Sequence, residues 1–245
     1  MGKIIAVVSG KGGTGKTTAV GALGACLGAM GRKTLCIDCD ADLRNLDITL
    51  GISHYLLPDL QALNAGSGDF SEFCAPHPSL ENLYFTPAMA FGSGAGSEAL
   101  YPDLFDWVRG NFDYCLLDAP AGIGEDVLSL LKYADEALIV TTGDRSSIRD
   151  GQMMCSRLQT YGLADIRLLV NRVLPRFYRQ TRTSVDDIID TVGARLLGII
   201  REDRDVPAAA NGEIPLVLFS RGKAAQGFLR CAERLTGVSV PIPEK

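Results

Sequence analysis

The chain is 245 residues long with 47% hydrophobic and 22% charged residues, a balance that excludes a disordered or fibrous chain and leaves room for a substantial α/β core. A formal net charge of -5 excludes a surface built throughout to neutralise nucleic-acid phosphates. No run approaches the roughly 20 apolar residues needed to cross a bilayer, and the seven cysteines are scattered with no export signal before them, so the expectation is a cytoplasmic protein with reduced thiols.

In chain order, Ile4 to Val8 is an apolar, β-branched run that reads as the first strand. Gly10 to Thr17 then satisfies G-x-x-x-x-G-K-[ST], directly after that strand and before a stretch of helical spacing from Thr17 to Met30. In this pattern the glycines let successive backbone N–H groups turn toward phosphate oxygens, and the helix offers its positive N-terminus to the same charge. Gly12, Gly13, Thr14, Gly15 and Thr18 are expected to line the phosphates, Lys16 to reach the β and γ phosphates, and the Thr17 hydroxyl to ligate Mg²⁺. Gly31 follows as a residue tolerant of positive φ, and Thr34 to Ile37 form the second strand. Cys36 and Cys39 spell C-x-x-C, but no second pair completes a metal site and His54 and His77 are the only histidines, so both read as small buried side chains.

Asn64 to Pro78 and Ala88 to Ser97, rich in Gly, Ser and Pro, read as loops around a strand at Leu83 to Phe85. Further strands are predicted at Tyr114 to Leu117, Ala137 to Val140, Leu168 to Val170, Leu196 to Ile200 and Ile214 to Leu218. Helical spacing recurs at Ala99 to Arg109, Glu125 to Tyr133, Ser147 to Tyr161, Val185 to Val192 and Lys223 to Leu235. The alternation predicts a doubly wound, mostly parallel sheet with helices on both faces and ligands at the edge where the strands end. With no long linker or repeat, residues 1–245 read as a single domain. Asp118, closing an apolar strand, is the Walker B carboxylate expected to hold Mg²⁺ through water, and the small, turn-prone run from Ala119 to Gly124 reads as a loop able to respond to a γ-phosphate. Arg167, Arg172, Arg176, Arg179 and Arg182 form the densest basic stretch, read as a solvated loop and helix face.

A second lysine inside the phosphate loop narrows the class. Lys11-Gly12-Gly13-Thr14-Gly15-Lys16-Thr17-Thr18 resembles the deviant Walker A motif of the MinD/ParA family of P-loop ATPases. Asp38-Cys39-Asp40-Ala41-Asp42-Leu43-Arg44-Asn45-Leu46-Asp47 is similar to the switch I segment of the MinD branch, more so than to the D-P-Q-G segment usual in plasmid ParA. Asp118-Ala119-Pro120-Ala121-Gly122-Ile123 resembles switch II, and Leu169-Val170-Asn171-Arg172 the adenine-side strand and turn. The resemblance implies an ATPase that binds Mg²⁺ and ATP, forms an ATP-dependent homodimer with two sandwiched nucleotides, turns over slowly alone and answers to a protein activator or effector. The resemblance further implies a spatial-positioning switch in division-site selection. In that reading Lys11 reaches the partner's phosphates and acts in catalysis with Lys16 and Asp40, Asp40 positions the attacking water and joins Thr17 and Asp118 at the metal, and Asn171 and Arg172 meet the base.

Ser147-Ile148-Arg149-Asp150 resembles the family's partner-binding helix. ATP in place of GTP rests on the resemblance, since no N-K-x-D run is visible. Two departures stand out: Arg201-Glu202-Asp203 occupies a position where the family usually has Pro before Glu-Asp, and Val238 to Lys245, with two prolines, does not form an interfacial helix. Membrane contact is therefore expected to be weak or through a recruiting partner, and nucleic acid is not an expected ligand. The alternatives are a ParA-like partition or cargo-positioning ATPase and a nucleotide-binding regulatory module without turnover. An iron-sulfur carrier would need a C-terminal C-x-x-C, and only Cys155 and Cys231 follow Asp118.

Overall fold

The computed structural model describes residues 1–40, 45–54, 69–86, 101–122, 124–174 and 183–242. Its strands are β1 Lys3–Val8, β2 Thr34–Asp38, β3 Ala75–His77, β4 Leu80–Thr86, β5 Tyr114–Asp118, β6 Glu136–Thr141, β7 Ile166–Val173 and β8 Arg195–Arg201. Its helices are α1 Lys16–Ala29, α2 Leu46–Leu50, α3 Tyr101–Asn111, α4 Glu125–Leu131, α5 Arg145–Tyr161, α6 Val185–Val192, α7 Asp205–Asn211, α8 Leu216–Phe219 and α9 Lys223–Leu235, with one 3₁₀ turn at Phe70–Phe73. The described strands form one 8-stranded sheet in the order β3-β4-β2-β5-β1-β6-β7-β8. All pairings are parallel except β3 with β4.

Both faces are covered, as the predicted alternation of strand and helix requires. In β1, Ile4, Ala6 and Val8 face a core shared with α3, α4, α5 and α6, while Ile5 and Val7 face one shared with α1, α2 and α9. Helix α1 is apolar on nearly every side because it lies between the sheet, α2 and α9, with Val20, Leu23 and Leu27 fully buried. Gly31, just past its end, adopts φ 78° as expected. Helix α6 starts with a reciprocal cap: Ser184 Oγ accepts from Asp187 N at 3.0 Å, and the Asp187 carboxylate accepts from Ser184 N at 2.7 Å.

Three expectations need correction. Ile214 to Leu218 is not a strand. Pro215 stands at the N-cap of α8, whose short apolar run Leu216–Phe219 is helical and packs over α1 and α9. The stretch read as loop up to Pro78 contains β3, an antiparallel edge strand of three residues. Helices α2 and α7 were not anticipated; the first is only five residues long and the second carries Pro207 in its opening turn. Ala99 and Ala88 to Ser97 lie outside the described residues.

Candidate functional site

Because seven of the strands run parallel, the segments after β1, β2, β5, β6 and β7 emerge on one edge of the sheet. β1 and β2 both pair with β5, and the register sets Val7 and Asp38 on either side of Asp118. The sheet order thus delivers the end of β5 between the phosphate-loop motif and the end of β2.

The motif forms a turn from Ser9 to Gly15 that enters α1 at Lys16. Gly13 and Gly15 take φ 80° and 89°, and Gly15 is the N-cap. A Cβ on Gly15 would overlap the Asn171 side-chain amide, so the position requires glycine on two counts. No side chain caps α1 and its first turn holds no carboxylate. A long helix is thereby left with its N-terminal donors and positive dipole end open to an anion.

Lys16 is buried, and its Nζ donates to Asp118 Oδ1 at 3.0 Å. The Thr17 hydroxyl also bonds the Asp118 carboxylate. Burial pushes the Asp118 carboxyl above the usual range, against Lys16 and Thr17, which favour its charged form. Asp38, beside it and equally buried, is pushed up to about 6 by burial, opposed by backbone N–H bonds from Asp40, Leu46 and Asn45 and reinforced by the Asp118 charge. Asp40 lies near enough to Asp118 to raise its carboxyl further. Lys16, Thr17, Asp118 and Asp40 are therefore brought together. Thr17 and Asp118 supply the hard oxygen donors that suit Mg²⁺, which commonly takes one or two protein ligands and fills the rest of its shell with phosphate and water. No group of three or more His, Cys, Asp or Glu among the described residues forms an all-protein metal cage.

Lys11 lies apart from this cluster. Its Nζ donates to Asp144 Oδ1 at 2.9 Å and Ser146 Oγ at 2.7 Å, at the start of α5. Asp144 is the N-cap of α5, accepting from Ser147 N at 3.0 Å. Burial would raise its carboxyl, but bonds from Thr142, Lys11, Ser146 and the Ser147 N–H outweigh that and hold it far below the carboxylate range. Helix α5 also presses on the loop directly: a Cβ on Gly10 would lie 2.5 Å from Asp150 Cβ and 2.6 Å from its carbonyl oxygen. Asp144 and Ser146 were not singled out, and Asp150 was read only as part of a partner-binding helix, because their contacts with the loop join positions more than 130 apart in the chain.

Asn171 is buried and donates from Nδ2 to the Thr14 carbonyl at 2.9 Å, while its Oδ1 accepts from Arg172 N at 2.9 Å. One amide N–H and one lone pair remain on Asn171 after these bonds. Arg172 adopts φ 56°, and its guanidinium grips Glu202 at 2.9 and 3.4 Å. Of the basic stretch, Arg167 is paired with Glu136 and Arg172 with Glu202, while Arg176, Arg179 and Arg182 lie outside the described residues. Cys36 and Cys39 face opposite cores, one on each side of the sheet, and burial raises both thiols. Among the described residues no helix is long and apolar enough to cross a membrane.

Residues 5–216 match the CobQ/CobB/MinD/ParA nucleotide binding domain family. The septum site-determining protein MinD of Thermotoga maritima is 32% identical over 249 residues, spanning 99% of this chain and 91% of that protein. The MinD cell division protein of Aquifex aeolicus, in a complex with MinC, superposes with a TM-score of 0.89 at 31% identity over 99% of each chain. The septum site-determining protein MinD of Pyrococcus horikoshii, complexed with Mg-ADP, superposes with a TM-score of 0.82 at 30% identity, covering 96% of each chain.

Proposed function

The chain belongs to the MinD/ParA family of nucleotide-binding proteins, and from that premise we propose that it is a MinD-like ATPase acting as an ATP-driven dimerisation switch in division-site selection. The observation that carries the reading is the convergence of Lys16, Thr17 and Asp118 beneath the open N-terminus of α1, with a second lysine at the rim of the same loop.

The loop N–H groups and the α1 dipole hold the β and γ phosphates of ATP, and Lys16 exchanges its bond to Asp118 for one to phosphate oxygen. The Thr17 hydroxyl would hold Mg²⁺ directly and Asp118 through water, with Asp40 nearby, and the ion would supply positive charge against the phosphates. Asp40 orients the attacking water. Lys11 leaves Asp144 and Ser146 and reaches the phosphates of a second copy, where its cation stabilises charge developing in the transferred group. Asn171 fixes the loop through the Thr14 carbonyl, and its remaining donor and acceptor suit the edge of a purine base, beside Arg172. Turnover is slow until a protein activator engages the dimer. Helix α5 is the surface for such a partner, since it contacts the loop at Gly10 and holds Lys11; the Aquifex MinD chain bound to MinC supports a partner of that kind. Residues 1–245 act as one domain, and any membrane contact is weak or through a recruiting partner.

Phosphate release from Mg-ATP tests the proposal. The chain should release phosphate, and Lys16→Ala should not. Tight nucleotide binding with no release by the unaltered chain would favour a regulatory module without turnover.

A further inference from the structure

We propose that Asp38 is a positioning residue for hydrolysis, its two carboxylate oxygens fixing the backbone on both sides of the switch segment that carries Asp40. Asp38 is the last residue of β2 and is 2% exposed. Its Oδ1 accepts from Asp40 N at 3.0 Å, and its Oδ2 accepts from Leu46 N at 3.4 Å. The Asn45 backbone N–H donates to the same carboxylate.

These bonds have a structural consequence on the far side of the segment. Helix α2 begins at Leu46, and its own N-cap residue, Asn45, makes no capping bond from its side chain. Asp38, eight positions earlier, supplies the acceptor that the first N–H groups of a helix require. The helix it anchors is fixed against α1: Leu46 and Leu50 are fully buried, and a Cβ on Gly21 would lie 2.5 Å from Thr49 Cγ2. Helix α1 opens with Lys16 and Thr17. One side chain therefore ties the Asp40 backbone to an element packed on the phosphate-binding helix.

The choice of residue is informative. Both oxygens receive donors, and only a side chain with two acceptor oxygens and no N–H satisfies both. Asparagine would satisfy one and turn its own NH₂ toward the other. Keeping this carboxylate in register with buried Asp118 is unfavourable for folding, since two like charges share a dry site. A carboxylate placed at that cost is better explained by what it holds in place than by stability.

The inference rests on the proposed role of Asp40, and the test separates the two. Asp38→Asn, Asp40→Ala and the double variant are compared for Mg-ADP affinity and for the single-turnover rate of Mg-ATP hydrolysis at saturation. Displacement of the group that orients the water should slow Asp38→Asn by about tenfold to a hundredfold, with Mg-ADP affinity changed by less than about threefold. Adding Asp38→Asn to Asp40→Ala should then slow hydrolysis no further, because both changes act through one group. Asp38→Ala, which removes both acceptor oxygens and adds no donor, is the variant to use if Asp38→Asn fails to fold, and the same loss is expected. A normal rate in the Asp38 variant, or effects of the two changes that multiply, would overturn the positioning role. A normal rate in Asp40→Ala would instead overturn the proposed role of Asp40.

Discussion

Lys11→Ala separates a structural lysine from a trans-acting one by magnitude. In the isolated chain the ammonium is bonded to Asp144 and Ser146, with side-chain exposures of 36% for Lys11 and 45% for Asp144. A pair this open to solvent contributes about 0.2–1 kcal/mol. For a domain of this length that amounts to a fall in Tm of at most about 2–4 °C. A cation supplied in trans to phosphoryl transfer, by contrast, accelerates it about 10³–10⁵-fold, equivalent to roughly 4–7 kcal/mol. If Lys11 acts in trans as proposed, releasing it from Asp144 costs far less than that acceleration is worth, and the intramolecular bond does not block the role. Thermal unfolding of the nucleotide-free protein and phosphate release at several protein concentrations read the two quantities separately. The expected outcome is a nearly unchanged Tm with hydrolysis reduced at least about a hundredfold. A Tm lowered by more than about 10 °C with turnover retained would refute the reasoning and make Lys11 a structural residue of α5.

Gly15→Ala should abolish binding of a fluorescent ADP analogue, since it strains a φ of 89° and drives a methyl group into the Asn171 amide; retained affinity would show that the loop tolerates a different path. Ser184→Ala removes the reciprocal cap of α6 and should cost about 1 kcal/mol, lowering Tm by roughly 2–4 °C with hydrolysis unchanged. A pH dependence follows from Asp38, whose carboxyl is pushed up to about 6 in the folded chain, whereas an unfolded aspartate titrates near about 4. Between those values the native state holds the extra proton, so this group's contribution makes the nucleotide-free protein less stable as pH rises from about 4 to 7, by on the order of 2–3 kcal/mol. A magnesium ion held through Asp118 favours that carboxylate, whose pKa burial raises in the nucleotide-free chain, and Mg-ADP binding should release protons. Calorimetry in two buffers of different ionisation enthalpy measures this, and heats that agree in both buffers would contradict it.

Most of the scaffold was legible because its signals are local. Apolar runs such as Ile4 to Val8 and Tyr114 to Leu117, bounded by turn residues and separated by helical spacing, leave little choice but a parallel sheet. Ile214 to Leu218 failed for the opposite reason. Five apolar residues fit a strand or a helical turn equally, and the decision came from Pro215 and from packing against α1 and α9. β3, three residues around Pro76, carries no periodicity long enough to read. The same division runs through the site. The phosphate loop and Asp118 are sequence motifs with a fixed spacing, and the fold places them together. What the sequence did not display were the partners of those motifs. Asp144 and Ser146 meet Lys11, and Asn171 meets Thr14, only because β6 lies beside β1 and β7 beside β6 in the sheet order. The two bonds of Asp38 to Asp40 and Leu46 depend on how the chain returns to α2, which no spacing rule specifies.

A nucleotide-dependent change of assembly is read from the solution mass by size-exclusion chromatography with light scattering, using Asp40→Ala to suppress turnover. The expected result is the 26.2 kDa mass of one chain with Mg-ADP and twice that mass with Mg-ATP. A single-chain mass with both nucleotides, each shown to be bound, would contradict the dimer and the role assigned to Lys11.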